Sequence, residues 1–463
     1  MGIMAADYII TNARIVNPES GEEFPGSLGI RDGKIDGLYR ASESIPSAKV
    51  LIEAEGGILV PGFIDIHSHS ENCIFCAEKL LAMGVTSSVS GNCGYSTAHF
   101  DKFFKKYEKG GYPVNQLEQA GHGILRKRAG IRDIYAAADR RQIEKMKRSA
   151  SEAFAAGACG LSFGLEYDPG ASAEEMTELA RVAAEAGRFV SIHGRIQDLS
   201  DLGSLREALD VAAETGVELI YSHLAYMYRG EVLKEALGVI TDYREKKIPV
   251  WVDSGMYTAF TTIVASPCFN ENIFLDSEKD DPELKNLRAA SGKYAGQIMD
   301  RDKYVEMRRK FPHEFFIYEP DGKFTSDDVY TAYSLPDVMV STDCIDFPAG
   351  QGHPQGAATY PYFFRELVKE RRQFSLLEAV RRCTLLPARA AGLHTKGRLS
   401  PGMDADLVVL DWERLREHAD FPGIGNPDAP PSGVKYVFVN GSLAIKNEKR
   451  VPGVMAGFNI RRR

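Results

Sequence analysis

The chain has 463 residues, 44% hydrophobic and 26% charged, with glycine and proline spread along it, so it can bury a large core and is not a disordered or low-complexity chain. Lys+Arg 56 against Asp+Glu 64 gives a net charge of −8 with the basic residues scattered, which speaks against a nucleic-acid partner and for a small-molecule one. Seven cysteines without a paired spacing, a start without signal-peptide features and the lack of any ~18-residue apolar run lead us to expect a cytoplasmic protein with reduced thiols and no membrane span.

In chain order, short strands are expected at Asp7–Ile10, Ala13–Val16, Ser27–Ile30 and Lys34–Leu38, with Asp32-Gly33 as a hairpin turn. From residue 62 the texture changes to apolar strands followed by amphipathic helical stretches. The strands are Gly62–His67, Thr86–Ser90, Gly160–Gly164, Phe189–His193, Glu218–His223, Val250–Asp253 and Met339–Asp343, and Ala173–Ala186 and Ser204–Thr215 have helical spacing. Residues 269–330 interrupt this rhythm with charged, helix-favouring stretches at Asp276–Leu287 and Arg301–Lys310, which suits an insertion or lid. Strands return at Asp406–Asp411, Val434–Asn440 and Ser442–Lys446, with Asn440-Gly441 as a turn, and the tail Arg461 to Arg463 reads as a solvated end. The expected class is α/β: a (β/α)8 barrel over 62–389, with a doubly wound sheet as the other pattern-compatible arrangement, and a small β-sandwich domain made by 1–61 and 390–463.

Several strands end in metal-ligand types. His67 and His69 alternate on one strand and so point the same way. Cys93 follows the next strand in Gly91-Asn92-Cys93-Gly94; His193, His223 and Asp343 each close a strand of their own. Singly, each has an ordinary reading: a structural histidine pair, a small buried thiol, a helix cap. Together, N, S and O donors at the strand ends where barrel enzymes place their sites point to a metal centre. Cys73-x-x-Cys76 has metal-like spacing but opens an expected helix with no second pair, and reads as packing. Asp65 and Asp346 are read either as partners behind the histidines or as loop carboxylates.

The ordered set His67-x-His69, Gly91-Asn92-Cys93-Gly94, His193, Ser222-His223 and Ser341-Thr342-Asp343 resembles the amidohydrolase superfamily, in its branch of N-acyl-D-amino-acid deacylases (D-aminoacylases). Val60-Pro-Gly-Phe-Ile-Asp65, the segment Gly160 to Tyr167, His353-Pro-Gln355, Tyr360-Pro-Tyr-Phe363 and the segment Gly402 to Val409 extend the likeness over most of the chain. The resemblance implies a barrel with a split β-sandwich, and zinc. It implies that Cys93, His193 and His223 hold one tightly bound ion, and that His67 and His69 with Asp343 form a second, weaker site. No lysine lies between Lys147 and Lys234, so the carboxylated lysine that bridges two metals in many relatives is unavailable and the Cys93 thiolate takes its place. Glu166 is a candidate extra ligand or supporting group. The implied reaction is amide hydrolysis by metal-activated water, with Asp343 as general base and then acid.

On the substrate side the resemblance implies Arg195 against a carboxylate, and Tyr257, Thr258 and Thr261 along the pocket. Gly255 and Leu224-Ala225 depart from the family, standing near where it carries a tyrosine and a lysine. Deacylation of an N-acyl-D-amino acid is the expected function. The alternatives are a cyclic-amide hydrolase of hydantoinase or dihydroorotase type, disfavoured by the missing lysine and by Cys93, and a non-catalytic scaffold, disfavoured by the complete ligand set.

Overall fold

The computed structural model describes residues 5–195, 202–275, 281–320 and 322–462. The N-terminal residues form β1 (Ala6–Asn17), β2 (Glu22–Arg31), β3 (Lys34–Arg40), β4 (Ala48–Glu53) and β5 (Ile58–Pro61). The two strands expected before residue 17 are one: Asn12, at φ 50°, introduces a register shift between Ile10 and Ala13 without ending the strand. Asp32 and Gly33, at φ 50° and 77°, make the expected turn from β2 to β3.

The middle of the chain supplies β6 (Phe63–Asp65), β7 (Ser68–His69), β8 (Val85–Ser90), β9 (Asn115–Glu118), β10 (Ala120–Gly121), β11 (Gly160–Gly164), β12 (Phe189–His193), β13 (Leu219–Tyr221) and β14 (Val250–Ser254). After them come β15 (Phe260–Ile263), β16 (Leu287–Ala289), β17 (Phe315–Tyr318), β18 (Val338–Val340) and β19 (Cys344–Ile345). Parallel pairings join β6 to β8 and β8 to β9, and then β10, β11, β12, β13, β14 and β18 in that order. Only Gln119 separates β9 from β10, and β19 pairs in parallel back onto β7, so the pairings return to their start. Ile64, Val89, Leu117, Phe189, Ile220 and Met339 contribute one apolar cluster from six of these strands. The helices Arg140–Ala156, Ala173–Glu185, Gly203–Thr215 and Gly230–Glu245 run between consecutive strands and bury their apolar faces in the larger cluster outside.

One strand of this set escapes a pattern reading, β9 with its continuation β10. Its residues Asn115, Gln116 and Glu118, with Gln119 beside them, are polar yet fully buried. They are kept inside by hydrogen bonds rather than by apolar character: Asn115 Nδ2 donates to Thr86 O at 3.0 Å, Gln116 Nε2 to Ser70 O at 3.2 Å and Gln119 Nε2 to Asn92 Oδ1 at 2.7 Å.

The interrupting segment supplies β16 and β17, which with β15 just before it form a small antiparallel sheet, β15–β17–β16, and it holds the expected helix Arg301–Lys310. The helix expected at Asp276–Leu287 is not found: 276–280 lie outside the described residues, Leu284–Asn286 is a single 3-10 turn, and Leu287 begins β16. Among the described residues no helix is long and apolar enough to cross a membrane.

The C-terminal strands β20 (Leu407–Leu410), β21 (Val434–Val439), β22 (Ser442–Lys446) and β23 (Lys449–Arg450) join the N-terminal ones in a single nine-stranded sheet, where β20 pairs antiparallel with β5. Asp406 and Asn440 fasten this sheet to the parallel strands through Asn115 of β9, and Lys396 holds both. The Lys396 Nζ lies 2.5 Å from Asp406 Oδ2 and 2.9 Å from Asn440 Oδ1, and Asn115 Nδ2 of β9 donates to the same Asp406 oxygen at 3.3 Å. Lys396 and Asp406 side chains are 3% and 2% exposed, so removing the lysine strands a buried carboxylate. Lys396→Met should therefore cost about 3–5 kcal/mol in urea unfolding, and adding Asp406→Asn should restore part of it; an unchanged midpoint for the single variant would contradict this account.

Candidate metal centre

The six expected donors leave the ends of five parallel strands, His67 and His69 sharing one, and three of them do so in a backbone state that L-residues avoid. Cys93, His223 and Asp343 have φ of 52°, 36° and 49°. Such left-handed residues cost about 1–2 kcal/mol apiece, so surrounding contacts must hold them. Those contacts are visible. The Asp343 N–H donates to His67 O at 2.9 Å, and the His223 N–H to Asp253 Oδ1 at 3.0 Å. The Cys93 carbonyl rests on Gly164, where a Cβ would stand 2.1 Å from it, and Ser162 Oγ accepts the Gly94 N–H at 3.1 Å.

The side chains converge on the Cys93 sulfur. Cys93 Sγ lies 3.3 Å from His67 Nε2, 3.5 Å from His193 Nδ1 and 3.8 Å from His223 Nε2. Asp343 Oδ1 lies 3.4 Å from His69 Nε2 and 3.6 Å from His67 Nε2. The donor atoms of His67, His69 and Cys93 are all within 4.8 Å of one another, as are those of Cys93, His193 and His223, so the thiol belongs to both triads. All six side chains expected at the centre are thus together.

Burial opposes charge on Cys93, Asp343, His67, His69 and His193, but their mutual attraction overrides it. Cys93 is held well below its ordinary pKa by His67 and His193, and Asp343 is held low by His69 and His67. His69 is raised to about 10 by Asp343 and Cys93, and His193 to about 10 by Cys93 and Glu166. A thiolate and a carboxylate thus draw positive charge into a dry site. The protons that the imidazoles carry there are what a divalent cation would displace, and the mixed N, S and O donor set suits zinc.

Behind the donors stand groups that orient them. Glu166 Oε2 lies 2.9 Å from His193 Nε2, leaving Nδ1 to face the sulfur, and its other oxygen accepts from Ser266. Asp253 Oδ2 lies 3.4 Å from His67 Nδ1 while its Oδ1 accepts from the Ser341 hydroxyl at 2.7 Å. Asp253 was not singled out from the sequence, although it sits near the end of an expected strand as the donors do. Asp65 accepts from Thr342 N at 3.0 Å and touches His67 only at its backbone N–H, 3.4 Å away; it braces β6 against the Asp343 segment rather than an imidazole. Asp346 turns away from the histidines to Cys73 Sγ, at 3.1 Å.

A cavity of about 450 Å³ opens over the centre and takes in His69, Cys93, Glu166, His193, His223 and Asp343. Among the described residues no lysine or arginine lines it. Arg195 in particular is elsewhere: its guanidinium is spent on Glu207 (2.8 and 3.1 Å) and on the carbonyls of Pro169 and Ala171 (2.6 Å each). Tyr257 packs edge-on against His353, ring centres 4.8 Å apart, and neither it nor Thr258 reaches the lining. Thr261 does, with a buried hydroxyl that has no hydrogen-bond partner among the described residues. The remaining walls are residues the sequence did not single out, among them Tyr167, Tyr226, Met227, Phe260, Ile263 and Phe315. The last three belong to β15 and β17, so the interrupting sheet forms one side of the cavity.

Comparison with known proteins finds relatives along nearly the whole chain. The chain is 28% identical over 470 residues to N-acyl-D-glutamate deacylase of Alcaligenes xylosoxydans xylosoxydans, covering 94% of this chain and 93% of that protein. It is 26% identical over 489 residues to D-aminoacylase of the same organism, covering 97% and 96%. The crystal structure of N-acyl-D-glutamate deacylase from Bordetella Bronchiseptica, complexed with zinc and a phosphonate mimic of the tetrahedral intermediate, superposes with a TM-score of 0.85 at 26% identity, over 99% of this chain and 100% of that one. Residues 58–444 match the model of the amidohydrolase family, and to that family the chain belongs.

Proposed function

We propose that the protein is a zinc-dependent amide hydrolase that deacylates an N-acyl-D-amino acid to a carboxylate and a free D-amino acid. The observation that carries this reading is the Cys93 sulfur set 3.3–3.8 Å from three imidazole nitrogens, with Asp343 at the edge of the same cluster. The fold is read with it as a (β/α)8 barrel over 62–389 carrying a small β-sandwich from 1–61 and 390–463, with the 269–330 insertion beside the mouth.

Cys93, His193 and His223 would hold the tightly bound ion, and His67, His69 and Asp343 a second, weaker one. What zinc supplies when bound is a water acidic enough to lose a proton near neutral pH and a polarised amide carbonyl. Asp343 lines the cavity and is kept ionised, so it accepts the proton of the attacking water and returns it to the departing amine nitrogen, which is too basic to leave unprotonated. Glu166 and Asp253 fix the imidazoles of His193 and His67 so that the ligand nitrogens stay aimed inward.

The walls favour an apolar substrate. Met227, Phe260, Ile263, Phe315 and Ile345 face the cavity, and Thr261 offers a free hydroxyl to a substrate oxygen. An acidic side chain, as named for the Alcaligenes relative, would meet no lysine or arginine among the described lining residues. A cyclic-amide hydrolase with a bridging carboxylated lysine lacks its lysine here, and a scaffold would have no reason to keep the full donor set.

Two measurements test this. On a panel of N-acetyl-D-amino acids, hydantoins and lactams, N-acetyl-D-leucine or N-acetyl-D-phenylalanine should exceed N-acetyl-D-glutamate by at least about tenfold in kcat/KM, because leaving a carboxylate unpaired costs more than the ~1.4 kcal/mol that factor represents. Turnover of hydantoins alone would replace the deacylase reading by the cyclic-amide one. Asp343→Asn should keep the tightly bound zinc ion by metal analysis yet lose about 10²–10⁴ in kcat; undiminished turnover would remove Asp343 from the reaction.

A further inference from the structure

Large apolar side chains are exposed at nine places among the described residues, and three of them, Ile45 at 41%, Val50 at 44% and Leu51 at 64%, lie on β4 or just before it. β4 is also an edge. It pairs in parallel with the first half of β1, from Ala6 opposite Ala48 to Thr11 opposite Glu53, and no other described strand pairs with it. The Ala6 N–H donates to Ser47 O at 2.9 Å, which fixes the parity of the ladder. The odd-numbered residues of β4 therefore bond inward to β1, while Ala48, Val50 and Ile52 turn their N–H and C=O groups outward.

Side chains alternate along the same strand. Lys49, Leu51 and Glu53 share the outer face and are exposed, whereas Ile52 points into the core of its own sheet. Val50, on the face of Ile52, stands at a cleft of about 870 Å³ that Tyr8, Leu443 and Val454 also line. An unpaired apolar edge invites another strand, and a lone lysine is the usual guard against one. Here the order of the charges turns the guard into a selector. In an antiparallel copy of β4 centred on Leu51, Leu51 faces the partner's Leu51, Lys49 faces the partner's Glu53, and Val50 faces the partner's Ile52. Val50 and Ile52 are then the residues that exchange hydrogen bonds, as the parity requires. Shifting the centre to Val50 sets Lys49 against Leu51, and shifting it to Ile52 sets Glu53 against Leu51, so the Leu51 centre alone of these matches charge with charge and apolar with apolar. Lys49 touches Asp7 of its own chain at 2.7 Å, yet its side chain is 69% exposed and its ammonium has room for a second carboxylate.

We propose that the protein forms a two-fold homodimer in which β4 pairs antiparallel with β4 of a second copy about Leu51, joining the two nine-stranded sheets edge to edge. The contact is smaller than the ~1,600 Å² of a standard interface, so the dimer dissociates on dilution, with a Kd of about 1–100 µM. No residue of β4 lines the cavity, and the proposal stands apart from the hydrolytic reading.

Sedimentation of the full chain over a dilution series should show monomer and dimer exchanging in that range. Lys49→Glu makes the outer face of the edge wholly acidic and Glu53→Lys makes it wholly basic. Each variant alone should weaken self-association by at least about tenfold, while an equimolar mixture of the two should form a heterodimer of wild-type strength. Damage to the sheet would not be undone by mixing. Leu51→Cys should form an intermolecular disulfide in air, because facing Cα atoms of a non-hydrogen-bonded antiparallel pair lie about 4.5 Å apart, and Val50→Cys, offset from its copy, should form far less. The cysteine variants keep the native charges and decide the matter if a charge variant does not fold. Wild type that stays monomeric at about 300 µM, a dimer indifferent to both charge variants, a mixture that does not associate, or equal cross-linking by the two cysteine variants would overturn the interface. Absence of hydrolysis would leave it untouched.

Discussion

A thiolate buried among imidazoles, 5% exposed at Cys93, cannot persist in a dry interior without positive charge beside it. Much of the centre answers to that constraint. The histidines crowd the sulfur, Glu166 and Asp253 stand behind two of them to fix their direction, and Asp343 adds a second negative charge at the edge. Protons on the imidazoles meet the demand in one way and a divalent cation in another. The cation satisfies sulfur, nitrogen and oxygen together, which is why such a donor set belongs to a metal rather than to a packed core.

The backbone is bent to deliver these donors. A strand running straight on would carry its next side chains past the opening, whereas a left-handed residue at the strand's end turns the chain and swings the donor inward. Cys93, His223 and Asp343 do this at φ of 52°, 36° and 49°, and the bend is held by hydrogen bonds to β6–β7 and β14 and by the bare backbone of Gly164. The cost of the strained residues is spread over contacts between strands that are neighbours only in the closed order of pairings. Fold and site are thus one construction: without β19 returning to β7, Asp343 would have no His69 to face.

This explains what could be read from the sequence. Donor types at the ends of apolar strands are a local signal, and it brought out His67, His69, Cys93, His193, His223 and Asp343, all of which meet in space. The β9–β10 strand gave no such signal, because its buried residues are amides and a carboxylate whose partners, such as Thr86 O and Asn92 Oδ1, come from other strands. Asp253 was missed because a carboxylate at a strand end reads equally as a cap. Arg195 was read as a substrate contact from the resemblance, but the partner that claims it, Glu207, lies in the helix Gly203–Thr215 and no spacing rule brings the two together.

The departures at Gly255 and Leu224-Ala225 are linked through the same geometry. A Cβ on Gly255 would stand 2.2 Å from the Tyr226 hydroxyl, so any side chain there would evict that phenol from its place. Tyr226 lines the cavity and leaves the short helix Leu224–Met227, whose first two residues are fully buried and apolar. Its hydroxyl donates to Gln355 Oε1 at 3.3 Å, and Gln355 Nε2 in turn donates to the Asp343 carbonyl at 2.9 Å. The glycine is therefore the space that a tyrosine arriving from the preceding strand loop requires. The Tyr226 phenol thus ties the cavity wall to the Asp343 segment through Gln355, in an opening that no lysine or arginine lines among the described residues.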